Sequence, residues 1–407
     1  MFGYLRFLLA FIVMLSHIDI RLYGLNPGVI AVVIFYILAG YVVSHLFRDI
    51  YFPTSSLRTV PPRHCEEAKL FFPSLRGGKA DAAISLPPRH CEPSFPVIAR
   101  SKATRQSPFL PVIATSKTFL SVIATSKTFL SVIASEARQS KNALFAFYKD
   151  RFLRIFPLYT SVLLLTLAFL LLTSFATPTY SLPKLLNNMA IIPLNYYMYI
   201  DGTILTNPSW WLIPPAWSLG TELQAYLLLP FALMYRRVFF TAVLISFGIY
   251  TLANFSVIHP DYFGYRFIAG VLFIFLAGSA LQRYEKSDKL YIAVLWMLIA
   301  ALALFAYYTN SFSSAYTKET YAGLLIGIPL VLFLSKTKIT LPFNKTLGNL
   351  SYAIFLTHFL SIWILQYIGI PSSKTFAYIS QLSLLTFFIS AVLTQIPLSP
   401  KRSNPKH

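Results

Sequence analysis

The feature that most constrains this chain is a series of apolar stretches, each close to 20 residues long. At about 1.5 Å per residue, a helix of that length covers the roughly 30 Å hydrocarbon core of a bilayer. Overall 56% of residues are hydrophobic and the mean hydropathy is +0.62, well above a soluble domain. The sequence therefore predicts an all-α, polytopic transmembrane helical bundle of about ten spans. These are 4–22, 29–47, 152–175, 216–235, 238–255, 264–281, 290–307, 320–335, 350–368 and 376–396.

The formal net charge of +20 first suggests nucleic-acid binding, but the lysines and arginines lie mostly between apolar spans. The positive-inside rule accounts for them better. If both termini are cytoplasmic, most of the 34 basic residues fall on the cytoplasmic side. We therefore expect a multi-pass protein with cytoplasmic termini and membrane lipids, not nucleic acid, around it.

Residues 54–140 differ in composition from the rest of the chain and contain near-copies of themselves. PVIATSKTFL at 111–120 recurs as SVIATSKTFL at 121–130, and PPRHCE occurs at 61 and again at 87. Ten-residue repeats are too short for solenoid units, and VIA triplets separated by Ser, Thr and Lys cannot span a membrane. The sequence predicts a low-complexity, disordered cytoplasmic insert without chemistry. It divides the chain into 1–53, 54–140 and 141–407.

The insert holds four potential metal ligands in two adjacent pairs, His64 with Cys65 and His90 with Cys91. One duplicated hexapeptide explains both pairs, and they lack the spacing that places two ligands on one turn. No metal site is predicted.

Ionisable residues inside spans are costly and therefore indicate functional sites. Arg6 and His17 lie eleven positions apart on the first span, so their directions agree within about 20° and His17 lies about 16 Å further along. We predict that both face one groove. The alternative is an arginine that extends to the membrane surface and a histidine satisfied by helix packing.

Arg151 and Arg154 begin the third span. Three residues apart on a helix, they project from one face, and their planar guanidinium groups can both donate hydrogen bonds to one phosphate. The alternative is that they only set the topology of the span.

Glu222 lies inside an apolar span, about a turn and a half after Trp217, which Ser218 directly follows. A carboxylate there must be paired, protonated or directed into a water-filled cavity. The ninth span contains Ser351, Tyr352 and His358. About 10 Å of helical rise separates Ser351 from His358, too far for a Ser–His nucleophilic pair.

Taken together, these residues resemble the acyltransferase-3 family of membrane O-acyltransferases, which modify bacterial surface glycans. The resemblance covers residues 1–49 and 142 to the C-terminus. Five signatures match in family order. They are R-x10-H (Arg6, His17), GV with an aromatic and glycine following (Gly28, Val29, Tyr36, Gly40), R-x-x-R-I-x-P (Arg151, Arg154, Ile155, Pro157), W-S-L-x-x-E (Trp217, Ser218, Leu219, Glu222), and LG-x-x-SY-x-x-x-L-x-H (Leu347, Gly348, Ser351, Tyr352, Leu356, His358).

The resemblance implies transfer of an acyl group, often acetyl, from cytoplasmic acyl-CoA to a hydroxyl of a polysaccharide, lipopolysaccharide or lipid-linked glycan at a bacterial inner membrane. It implies that His17 is catalytic and that Arg151 and Arg154 contact the CoA donor. His17 would take the acceptor proton or relay the acyl group, with Arg6 and Glu222 as further catalytic candidates. Glu222 would orient the imidazole or shift its pKa.

Two other interpretations stay open at the level of sequence. Intramembrane Arg, His and Glu also line transporter paths, although no Gly- or Pro-interrupted spans occur in corresponding halves. The insert, located between the second span and the R-x-x-R element, could also have inactivated the enzyme.

Overall fold

The computed structural model describes residues 1–52, 141–309, 312, 314–337, 339 and 341–395, together with the backbone alone of 116–140. Within these residues the chain is almost entirely helical, as predicted. One two-stranded antiparallel hairpin, β1 (Leu205–Thr206) and β2 (Ser209–Trp210), lies in the loop before α6. The α-helices are α1 (Phe2–Ser16), α2 (Pro27–Leu46), α3 (Ser116–Thr173), α4 (Leu182–Ala190), α5 (Ile192–Asn195), α6 (Ala216–Met234), α7 (Arg236–Asn254), α8 (Ile268–Arg283), α9 (Lys286–Tyr308), α10 (Thr317–Lys336), α11 (Asn344–Tyr367) and α12 (Phe376–Gln395). Short π-helical turns follow α2 at Phe47–Tyr51 and precede α8 at Tyr262–Arg266.

Eight helices in the described part of the chain are long and apolar enough to cross a membrane. They confirm the polytopic bundle. Each of the ten predicted spans also overlaps a helix of the structure. Two of the ten predicted spans correspond to helices that fall short of this length and apolarity, α1 and α6. α1 has 15 residues and ends at Ser16, so it is shorter than predicted. α6 carries Glu222 and Gln224, which reduce its hydropathy.

α2 lies at the centre of the bundle and contacts α1, α6, α8 and α10. It begins at Pro27, where the Asn26 side chain accepts a hydrogen bond from the Gly28 N–H (3.0 Å). Two glycines allow α2 and α8 to pack closely. A Cβ at Gly40 would lie 1.9 Å from the carbonyl oxygen of Phe275, and a Cβ at Gly278 would lie 1.9 Å from that of Ile37. Small residues at such crossings are typical of membrane helices.

α1 packs along α11. The contact begins at Gly3, whose N–H donates to the Asn344 side chain (2.9 Å) and whose missing Cβ makes room for the Asn344 backbone. The arrangement brings α11 against the helix that carries Arg6 and His17.

The predicted insert is only partly covered by the structure. Helix α3 begins at Ser116, inside the segment assigned to the insert, so helical backbone extends further toward the N-terminus than the predicted boundary at residue 140. Residues 53–115, including His64, Cys65, His90 and Cys91, lie outside the described residues. The disorder of the insert and the three-part division stay predictions.

Candidate active site

A partly open cavity of about 100 Å³ lies among α1, α2, α3, α6 and α11. Its lining combines a polar group of side chains with an apolar one. The polar group is Arg6, Tyr36, Arg151, Arg154, Ser218, Glu222, Tyr226, Ser351 and Tyr352, and the apolar group is Val32, Phe35, Leu38, Ala39, Val42, Ile155, Leu219 and Phe355. Four of these helices thus bring Arg6, Arg151, Arg154, Glu222, Ser351 and Tyr352 to one cavity.

Arg151 is the most enclosed cation of this cavity, with 4% of its surface exposed. It forms an ion pair with Asp150, and its guanidinium lies 5.8 Å from the centre of the Tyr226 ring. Its Nε is buried and has no hydrogen-bond partner in the described part of the chain. A buried donor without an acceptor is unfavourable, so this atom indicates a place for an anionic ligand.

Arg154 and Arg6 line the same cavity, Arg154 exposed and Arg6 half-buried. Among the described residues, neither has a carboxylate within ion-pair distance. Among the residues that the structure describes, Glu222 is the one carboxylate in the cavity lining, and the neighbouring Asp150 pairs with Arg151. The cavity therefore carries a positive excess that attracts anions.

Glu222 accepts a short hydrogen bond from the Tyr226 hydroxyl, one turn further along α6. It lines the arginine cavity, whereas His17 does not. The expected contact between Glu222 and the imidazole of His17 is therefore not found, because α6 directs the carboxylate to the arginine group. Glu222 instead lies where it can balance part of the arginine charge.

The motif hydroxyls near the cavity serve mainly as links within and between helices. Ser218 donates to the Pro215 carbonyl (3.0 Å) and Ser351 to that of Gly348 (2.8 Å). Tyr352 donates to the Ile155 carbonyl on α3 (3.1 Å) and so ties α11 to the helix that carries the two arginines.

Trp217 lies outside the cavity lining. The Arg266 guanidinium stacks over its indole at 4.3 Å, and Tyr265 packs against it edge-on at 5.0 Å. Asp261 holds Arg266 by an ion pair of 2.8 Å. Trp217 thus anchors the start of α6 to the loop before α8.

His17 and His358 form a pair that the sequence analysis did not predict. His17 follows the last residue of α1 and is exposed, whereas His358 on α11 is fully buried. The Nε2 of His358 lies 3.1 Å from the Nδ1 of His17, and the two rings stack with centroids 5.0 Å apart. Phe359 packs edge-on against His17 at 4.8 Å. The two histidines are 341 positions apart, so only the packing of α1 on α11 could reveal their contact.

One aromatic side chain lies next to both the cavity and the histidine pair. Phe355 lines the cavity, and its ring centre lies 6.4 Å from that of His358. Phe35, also in the lining, packs edge-on against Phe355 at 6.4 Å. An apolar ligand end at this side of the cavity would therefore lie next to the histidine pair.

The acyltransferase-3 family model, described as an acyltransferase domain, matches residues 123–395. The chain belongs to the acyltransferase-3 family. The matched region contains Arg151, Arg154, Glu222 and His358. Arg6 and His17, at the two ends of α1, lie outside it. An uncharacterized protein of Aquifex aeolicus (strain VF5) is 41% identical over 208 residues, which are 49% of this chain and 92% of that protein. No solved structure matches the chain significantly.

Membership in this family makes the protein a membrane acyltransferase with several membrane-crossing helices. It favours the enzyme over the transporter interpretation. No group of three or more His, Cys, Asp or Glu residues in the described chain is placed to hold a metal ion.

Proposed function

We propose that this acyltransferase moves an acyl group, acetyl in the simplest case, from cytoplasmic acyl-CoA to a hydroxyl of a surface carbohydrate or lipid-linked glycan. The observation that carries the proposal is a cavity with three guanidiniums and one carboxylate, whose lining residue Phe355 lies 6.4 Å from one of two paired histidines. The site would lie in the inner membrane of a bacterium, with both termini in the cytoplasm. That orientation follows from the distribution of Lys and Arg.

The cavity suits the chemistry of a CoA thioester. Arg6, Arg151 and Arg154 offer hydrogen-bond donors for the phosphates of CoA. One of these donors is the Nε of Arg151, which has no partner in the described part of the chain. The apolar walls suit the pantetheine arm, whose thioester end would point toward Phe355. The donor would thus enter from the side where the basic residues gather.

Transfer then needs a base for the acceptor hydroxyl. The acceptor oxygen attacks the thioester carbonyl, the new C–O bond forms and the C–S bond breaks, and CoA leaves as the thiolate. We assign His17 as the group that removes the hydroxyl proton and afterwards returns it to that thiolate. Its exposure leaves room for a bulky glycan beside it.

The proposal is tested in two steps. Mass spectrometry of surface glycans from a deletion strain and its complemented strain should show an acyl group that only the complemented strain carries. Purified protein in nanodiscs should consume labelled acetyl-CoA, and a wild-type sample without turnover or donor binding would contradict the assignment. If His17 relays the acyl group, rapid acid quench should yield a labelled His17 peptide, whereas base catalysis leaves His17 unlabelled.

A further inference from the structure

The hydrogen bonds of the two histidines define where their protons lie. The Nδ1 of His17 is 2.8 Å from the Val13 carbonyl oxygen, and the Nδ1 of His358 is 3.1 Å from that of Ile354. A carbonyl oxygen can only accept, so each Nδ1 carries a hydrogen. In the neutral pair, each Nε2 is then bare.

This assignment defines which ring donates and which accepts in the hydrogen bond between the two histidines. The bare Nε2 of His358 lies 3.1 Å from the Nδ1 of His17, so it accepts from the N–H that His17 also shares with Val13. No atom of the described chain hydrogen-bonds to the Nε2 of His17, and the side chain is exposed. The lone pair on that nitrogen is therefore available to a substrate.

His358 is well suited to hold this arrangement. It is completely buried, and both of its ring nitrogens are engaged, one with its own helix and one with His17. The adjacent Phe355 and Phe359 rings pack on it at 6.4 and 5.1 Å. His358 itself has no access to substrate, so it can act only through His17.

We propose that His358 is a positioning residue that keeps His17 in the Nδ1–H form, presents the bare Nε2 as the base, and stabilises the imidazolium once that nitrogen has taken a proton. The last effect follows because a hydrogen bond from a charged donor is stronger than one from a neutral donor. The acceptor proton moves to Nε2 of His17 and then to the CoA thiolate, while the Nδ1 proton stays shared with His358. This inference rests on the proposed function, in which His17 is the base.

The test uses two variants of the full chain in nanodiscs. His358→Gln can keep an acceptor facing His17, whereas His358→Phe keeps an aromatic ring and removes the acceptor. Diethyl pyrocarbonate acylates only unprotonated imidazole, so the pH dependence of its reaction at the His17 peptide, followed by mass spectrometry, reports the proton affinity of His17. The exposed His259 serves as internal control.

We expect the midpoint of His17 modification to fall by about one to two pH units in His358→Phe, the size of one hydrogen bond to a charged group, and to stay near wild type in His358→Gln. The acidic limb of kcat for acetyl-CoA should shift by the same amount, with the donor KM unchanged. A wild-type midpoint in folded His358→Phe would overturn the proposal.

The modification assay needs no substrate, so it separates the two proposals. A wild-type protein that never turns over acetyl-CoA would refute the proposed function, while the midpoint shift would still test the role of His358. If His358→Phe does not fold, ¹⁵N NMR of histidine-labelled wild type decides. An Nδ1–H form at His17 supports the assignment, and an Nε2–H form overturns it.

Discussion

The two ends of α1 lie in different electrostatic surroundings. At its start, Arg6 joins Arg151 and Arg154 in a cavity where positive charge exceeds negative charge and one buried N–H has no acceptor. Just past its end, His17 meets a second imidazole ring, that of His358, whose nitrogens are both hydrogen-bonded. The excess positive charge of the arginines suits the binding of an anion. An imidazole that is hydrogen-bonded to a second imidazole suits proton transfer. The difference indicates a division between donor binding and chemistry along one helix.

The largest expected effect belongs to the histidine end. His17→Ala should lower kcat by about 10² to 10⁴-fold, the usual contribution of a general base, while acyl-CoA binding stays nearly unchanged. Turnover and donor affinity should be measured on the same purified samples. His259→Ala is the matched control, since that histidine is also exposed and lies outside the site. Wild-type turnover in His17→Ala would remove the chemistry from this end of α1.

Substitutions of the arginines at the other end of α1 should instead raise the KM for acyl-CoA. Arg151→Ala or Arg154→Ala removes a charge-assisted contact to phosphate and should cost about 1.5 to 3 kcal/mol of donor binding, with a smaller change in kcat. The exposed Arg237 in the first turn of α7 is the control for a basic residue that only sets topology. Unchanged acyl-CoA affinity in the Arg151, Arg154 double variant would assign both arginines to topology alone.

Arg6 tests the boundary between the two ends. The sequence grouped it with His17, but the structure gives it the arginine cavity. Arg6→Ala should therefore raise the donor KM by an amount below that of Arg151→Ala, because Arg6 is less buried. Donor titrations of the purified variant check this. A fall in kcat at constant KM would instead connect Arg6 to the histidine chemistry.

The smallest effect is expected outside both ends. Excision of residues 54–140 should leave activity and thermal stability near wild type, since the repeats contain no periodic apolar face. A shorter deletion of 54–115 keeps all of α3, including the decamer copies from residue 116 onward, so a comparison of the two deletions separates the segment before α3 from the start of that helix. Activity assays and melting curves of both deletions give the answer. Loss of activity in the shorter deletion would contradict a dispensable insert.

Local periodicity explains what could be read from the sequence. Apolar length predicted the helical bundle, and a three-residue spacing predicted that Arg151 and Arg154 share a cavity. Helical geometry also predicted one groove for Arg6 and His17, but Arg6 lines the cavity whereas His17 lies outside its lining, next to His358. The partner of each side chain could not be predicted, because it depends on which distant helices are adjacent. For that reason Glu222 was assigned to His17, and His358 was left without a role.

The straight run of α1 has one more consequence. Its eleven-residue interval sets the separation of Arg6 and His17 at about 16 Å, and backbone hydrogen bonds along the helix prevent it from stretching. Under the proposed function, the helix therefore fixes the distance between the arginine that would bind phosphate and the histidine that would act as base. A donor with a shortened arm could fill either end but not both, so the enzyme would discriminate among thioesters by length as well as by charge.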